Sequence, residues 1–232
     1  MTSGETLSRG GPSQTSRVTG VVVVAHGGQV SSTEPTSAFQ LAVLRMIPVA
    51  AAIRQALGDT GTLVLRPRFR LRGWNGAQAS PVRDLTEALD DVSARHGPVP
   101  VVLVGHSMGG RAAFRAAGHP AVTAVAGLAP WLPPGEPVGQ LAGRRVLLVH
   151  GTADSITSPD ETWAYLERAR AVTPVAAIEV RDGDHPMLRR AGLWHAIAAE
   201  FARTALVPPA LDAGPVAAAV VTTAADPPRT VL

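Results

Sequence analysis

Residues 101–110 read Val-Val-Leu-Val-Gly-His-Ser-Met-Gly-Gly, an apolar run that enters a Gly-x-Ser-x-Gly turn centred on Ser107. The run has the character of a buried strand, and the small residues from Gly110 to Ala117 continue it as a helix. A strand, a sharp turn and a helix in immediate succession lift a serine oxygen clear of a sheet edge. Gly105 and Gly109 lack the β-carbons that would collide where strand and helix approach. Ser107 itself is expected in a strained, sparsely populated backbone conformation. With 23 glycines and 12 serines in 232 residues, the bare pattern would arise by accident about 0.1 times in such a chain. The flanking strand and helix, more than the pattern, make Ser107 a candidate nucleophile.

Outward from this turn, apolar strands alternate with helices. Strands are predicted at residues 20–25, 62–66, 99–104, 122–128, 146–150 and 176–181. A helix over 36–57 is interrupted or kinked by Pro48. A second, over 81–95, has Ser80 as N-cap, Pro81 at its first position and Gly97 just past its end. Further helices are predicted over 108–117, from the capping box Ser158-Pro-Asp-Glu161 to about Ala171, and over 188–204. Six strands mostly separated by helices imply an α/β domain, a mostly parallel sheet covered on both faces. The domain is expected over residues 19–205. Residues 1–18 and the Ala/Pro-rich 206–232 are expected to be disordered.

In such sheets ligands bind outside the carboxyl ends of the strands. Four clusters fall at that edge: His26-Gly27-Gly28, Ser107, the run from His150 to Asp154, and Gly183-Asp184-His185. A serine nucleophile needs a general base within reach, and the base needs an acid to orient it. His185, in a short Asp/Gly loop after the last strand, is the expected base. Asp154, in a turn before a capped helix, is the expected acid. Asp182 and Asp184 are rivals; Asp184 adjoins His185, so its side chain is expected to point elsewhere.

Composition narrows the classes. All 21 basic residues are arginine, the formal net charge is +3, and no basic block suggests nucleic-acid binding. The absence of cysteine excludes disulfides, thiolate metal sites and a thiol nucleophile. No histidines have metal-ligand spacing, so no metal or other cofactor is expected. The apolar runs are strand-sized and the polar N-terminus has no apolar core of a signal peptide, which favours a cytoplasmic protein without a membrane span. Arg66, Arg68, Arg70 and Arg72 alternate after the second strand. They read as a solvated strand extension in preference to a carboxylate-binding rim.

The order Ser107, Asp154, His185, with His-Gly after the first strand, resembles the α/β-hydrolase superfamily over about residues 20–205. Gly105–Gly109 matches its nucleophile elbow, and Gly151–Asp154 and Gly183–His185 resemble the loops carrying its acid and histidine. The resemblance implies an oxyanion hole made by the backbone N–H of Met108 and one from the His-Gly-Gly loop, Gly28 first and Gln29 as alternative. Gln29 and Trp131 are expected beside a small-molecule ester substrate. The implied activity is hydrolysis of a small carboxylic ester through an acyl-enzyme. Acyl-thioester or peptide hydrolysis by the same groups, or a non-catalytic ligand-binding protein on this fold, are the alternatives. The short polar N-terminus leaves no room for the family's usual opening strands, so about six strands are expected. Only 17 residues separate Leu128 from Val146, too few for a lid domain. His26 is expected to brace the loop behind the oxyanion hole, His106 to shape the pocket floor, and His150 to be a partly buried residue at a strand end.

Overall fold

One parallel sheet organises the chain in a computed structural model that describes residues 17–207 and 229–232. Its strands are Gly20–Ala25 (β1), Thr62–Leu65 (β2), Val101–His106 (β3), Val122–Leu128 (β4), Arg145–Gly151 (β5), Val175–Val180 (β6) and Thr230–Val231 (β7). They lie in the order β2-β1-β3-β4-β5-β6-β7. The six expected strands are all present. The seventh is a correction: residues 230 and 231, read as tail, pair with Ile178 and Glu179 of β6. Two residues carry too little local pattern to read as a strand, and β6 recruits them through its open edge. Most of the expected disordered segments, residues 1–16 and 208–228, lie outside the described residues.

Successive side chains of each strand point to opposite faces, so an all-apolar strand feeds two cores. Val21 and Val23 of β1 pack with Leu85 and Leu89 of Ser80–His96 (α3), Phe114 of Met108–Ala116 (α4) and Tyr165 of Pro159–Arg170 (α5). Val22 and Val24 pack on the other face with Ile53 of Met46–Leu57 (α2) and Trp194 and Phe201 of Ala191–Leu206 (α6). Each fully buried valine contributes about 1.5–3 kcal/mol, so β1 anchors both layers.

The helix expected over 36–57 is shorter and split into Leu41–Leu44 (α1) and α2, with Arg45 between them. Pro48 has no N–H for the Leu44 carbonyl, which accounts for the break one turn before it. Residues 29–36 instead run along residues 70–75: Gln29 N–H donates to Arg72 O at 2.8 Å and Arg72 N–H to Glu34 O at 3.0 Å. Thr36, the first residue of the expected helix, is held in this pairing, its N–H donating to Arg70 O at 3.0 Å. Ser80 is the first helical residue of α3 instead of its cap; Ala79, at φ 43°, holds the cap position without a side-chain bond. Ser158 does cap α5, its hydroxyl accepting from Glu161 N–H. The last helix starts at Ala191, three residues later than expected.

The strand order reverses between β1 and β3: the chain leaves β1 toward β2, then crosses back to β3. The crevice opens there, between the loop after β1 and the turn after β3. Only a loop with one 3₁₀ turn, Gly139–Leu141, joins β4 to β5, so no lid is inserted.

Candidate active site

β3 ends at His106 and α4 begins at Met108, leaving Ser107 alone in the turn. Its backbone sits at φ 55°, ψ −122°, the strained conformation expected of an elbow. Neighbouring bonds hold it there. Ser107 N–H donates to Leu128 O, and Ser107 O accepts from Arg111 N–H and Trp131 N–H. A β-carbon on Gly105 would stand 2.3 Å from Gly109 O, and one on Gly109 would stand 2.4 Å from His26 O. Both contacts are with backbone, so neither can be relieved by a side-chain rotation.

Ser107, His185 and Asp154 form one hydrogen-bonded line. Ser107 Oγ is 3.0 Å from His185 Nε2, and His185 Nδ1 is 2.8 Å from Asp154 Oδ2. Ser107 and His185 are each 8% exposed, whereas the Asp154 side chain is wholly buried. Burial alone would push the Asp154 carboxyl up. Hydrogen bonds from His150, His185 and the backbone N–H groups of Thr157 and Ile156 outweigh that and hold it far below the usual carboxylate range. An ionised carboxylate only accepts, so His185 must carry its proton on Nδ1 and present Nε2 as acceptor to the Ser107 hydroxyl. Of the rival acids, Asp184 turns Oδ1 to the N–H groups of Leu188 and Arg189, and Asp182 is exposed.

The loop after β1 lies against this line. The missing β-carbon of Gly27 faces Ser107 Cβ at 3.3 Å, and that of Gly28 would overlap Met108 Cε at 2.2 Å. Met108 N–H, in the first turn of α4, has no intrahelical acceptor. Gln29 N–H is committed to Arg72 O, whereas Gly28 N–H makes no hydrogen bond with a described residue. Behind the loop, His26 Nδ1–H donates to Gly27 O at 2.7 Å while Nε2 accepts from Phe69 N–H at 3.1 Å. Burial lowers its pKa, consistent with this neutral bracing role.

Two further histidines touch the line. His106 Nε2–H donates to the His185 carbonyl at 2.8 Å, and the two rings lie 4.9 Å apart. Full burial and the neighbouring His185 push its pKa down to about 3. His150 is fully buried, and its Nε2 is 3.1 Å from Asp154 Oδ2. Sequence reasoning placed His150 at a strand end but missed its contact with the acid, as it missed Thr157. The available signal was the four-residue spacing from His150 to Asp154 across Gly151.

Trp131 forms a partly exposed wall beyond β4, its ring 6.1 Å from that of buried Trp74. The Arg111 guanidinium stacks on both rings, 3.9 Å from Trp74 and 4.3 Å from Trp131. Arg111 and Arg115 both pair with buried Glu136. Burial opposes ionisation of Glu136, but its bonds to Arg115 and Arg111 prevail and lower its pKa. This cluster clamps the β4–β5 loop onto α4. Arg70 pairs with Asp84 and Glu87, and Arg72 with Glu34, which ties the second half of the arginine run to the scaffold.

Val30, Ile156 and Leu188, within three residues of Gly28, Asp154 and His185 in sequence, are more than 60% exposed, as are Phe39 and Leu41. Beside the His185 loop, Leu41, Leu44, Pro48, Met187 and Leu188 line a groove of about 360 Å³. Among the described residues, no helix is long and apolar enough to cross a membrane.

Comparison with known proteins finds the same fold. An esterase domain from Rhodothermus marinus superposes with a TM-score of 0.58 at 21% identity, covering 84% of this chain and 90% of that one. A serine hydrolase without lid from Xanthomonas campestris gives 0.56 at 22% identity, covering 86% and 88%. An esterase from Pyrococcus furiosus gives 0.61 at 16% identity, covering 82% of each chain. At these identities the likeness is one of fold. No curated protein matches the sequence at a significant level. The sequence model of the alpha/beta hydrolase family matches residues 21–231, nearly the whole chain, and the protein belongs to that family of hydrolases.

Proposed function

We propose that the protein hydrolyses small carboxylic esters through an acyl-enzyme on Ser107. The observation that carries the reading is the unbroken line from Ser107 Oγ through both nitrogens of His185 to Asp154 Oδ2. Ser107 Oγ attacks the ester carbonyl carbon as its proton passes to His185 Nε2. The carbonyl π electrons move onto oxygen, and the N–H groups of Met108 and Gly28 receive the oxyanion. Donors of this kind are worth about 10²–10³ in rate each. Collapse breaks the bond to the leaving alkoxide, which takes the proton from His185. Water then repeats the sequence, with His185 as base, and releases the acid. Asp154 stays ionised throughout and stabilises the imidazolium.

The exposed apolar side chains of Val30, Ile156 and Leu188, on the loops that carry Gly28, Asp154 and His185, support an ester with an apolar acyl or alcohol group, because exposed apolar surface often marks a binding site. Trp131 is the proposed wall for the portion of substrate nearest Ser107. Gln29, its N–H occupied, would contact substrate only through its exposed side chain. A serine-directed fluorophosphonate tests the reading. Labelling at Ser107, lost in Ser107→Ala together with turnover of an activated short-chain ester, is the expected result. An unlabelled wild-type Ser107, or a Ser107→Ala variant with wild-type turnover, would overturn it and favour a ligand-binding protein.

A further inference from the structure

Asp154 Oδ2 does not serve His185 alone. It receives His185 Nδ1 at 2.8 Å, Thr157 Oγ1 at 2.9 Å and His150 Nε2 at 3.1 Å, while Oδ1 accepts from Ile156 N–H and Thr157 N–H. Since the carboxylate is ionised and only accepts, His150 must carry a proton on Nε2. Its other nitrogen, Nδ1, is 2.8 Å from Thr162 Oγ1 on α5. The imidazole and the Asp154 side chain are both 0% exposed, so water cannot substitute for either partner. Backbone contact fixes the arrangement further: a β-carbon on Gly151 would stand 2.2 Å from Gly183 O, which brings the His150 strand end against the His185 loop.

We propose that His150 is a positioning residue that sets how much of the Asp154 charge reaches His185, and so tunes the base that activates Ser107. The inference rests on the serine-hydrolase reading above. A hydrogen bond donated to a carboxylate oxygen draws density from it, and inside a protein such bonds weaken or strengthen one another along a chain. Two histidines on one oxygen therefore compete. The His150 bond leaves less negative charge on Oδ2 for the His185 imidazolium, and it also fixes the plane of the carboxylate. Thr162 supports the donor by giving its hydroxyl proton to Nδ1.

The charged surroundings are few and defined. Glu179 lies across from His150 in the β5–β6 register and pairs with Arg229 at 3.5 Å. Arg229 also stacks over Trp163, whose ring contacts His150 at 6.2 Å. Asp160 and Glu161 sit in the first turn of α5, before Thr162. On the His185 loop, Asp184 is turned to backbone N–H groups. None of these groups hydrogen-bonds to the His150 ring, so Asp154 is the charge that His150 modulates.

The test compares His150→Phe, which keeps a ring without a donor, with His150→Gln, which restores an N–H, on an activated short-chain ester across pH. In His150→Phe the acid limb of kcat/KM should move up by about half a pH unit, because the undivided Asp154 charge holds a proton on His185 more firmly. Its kcat should fall about tenfold with KM unchanged, and His150→Gln should recover most of both effects. A purely structural role would lower activity without moving the limb. Thr162→Val, nearly isosteric, guards against misfolding of the Phe variant and should move the limb the same way by a smaller amount. An acid limb that stays at its wild-type position in the folded variants overturns the role of His150, while fluorophosphonate labelling of wild-type Ser107 shows separately that the hydrolase reading stands. Failure of that labelling would overturn both.

Discussion

His106 Nε2 donates to the carbonyl oxygen of His185 at 2.8 Å, which ties the residue before Ser107 to the loop that carries its base. The bond spans 79 positions of sequence and sits wholly inside the protein. It makes the elbow and the histidine loop one mechanical unit, so the Ser107–His185 distance is held from below as well as by Asp154.

That burial has a cost in acid. The folded-state pKa of His106, about 3, lies below the ordinary 6.5. Between those values the unfolded chain takes up a proton that the folded one refuses. Stability present above pH 6.5 is therefore lost toward pH 3, at about 1.4 kcal/mol per pH unit. His26, lowered by burial in the same sense, adds to the loss. Urea denaturation at pH 7 and pH 5 should show a fall of about 2 kcal/mol from His106 alone. His106→Gln should lose correspondingly less over the same interval, and an unchanged slope would refute the assignment.

Asp154→Asn should leave the fold intact and reduce kcat about 10³- to 10⁴-fold, because an amide can donate to Nδ1 and favour the wrong tautomer of His185. Pre-steady-state turnover of an activated ester, alongside circular dichroism, checks this. A loss below about tenfold would point to another acid.

Gly28→Ala places a β-carbon 2.2 Å from Met108 Cε and 2.4 Å from Arg72 O. The methionine can turn away, but the Arg72 carbonyl is bound to Gln29 N–H, so the Gly28 backbone must shift. Its N–H moves with it. The expected result is a loss of about 10²-fold in kcat with little change in melting temperature.

Glu136→Gln removes the carboxylate shared by Arg111 and Arg115 and leaves Arg111 buried without its counter-charge. Breaking such a pair from one side costs about 3–5 kcal/mol. Urea titration measures it directly, and tryptophan fluorescence should report loosening of Trp131 over the same range.

Leu44→Ser and Leu188→Ser remove apolar surface from the groove beside His185. If the acyl chain lies there, each methylene it buries is worth about 0.8 kcal/mol. The ratio of octanoate to acetate ester kcat/KM should then fall in both variants while acetate turnover holds. An unchanged ratio would move the acyl site to the Trp131 side.

Much of this site was legible from residue types alone. The β3 run, the glycines flanking Ser107 and the Asp and His after later strands are local patterns, because strand character and tight turns depend on near neighbours. The start of the expected helix was misread because helical propensity is local, whereas the backbone N–H of Thr36 donates to Arg70 O and residues 37–40 close only a turn, with Gln40 N–H donating to Ser37 O. Residues 230 and 231 became a strand only because β6 left an edge for them.

By itself, then, the order of strands, elbow and loops determined an α/β sheet with Ser107, Asp154 and His185 at its carboxyl edge. Only the tertiary structure decided which groups share Asp154 Oδ2, that Gly28 N–H pairs with none of the described residues while Gln29 N–H is spent on Arg72 O, and that Arg111, Arg115 and Glu136 meet beneath Trp131. Those outcomes turn on register and packing between segments distant in sequence. A shift of one residue in β5 against β6 would reverse the face that His150 presents. Hydrogen bonds fade within a few tenths of an ångström, and no pattern in a linear chain carries distances of that kind.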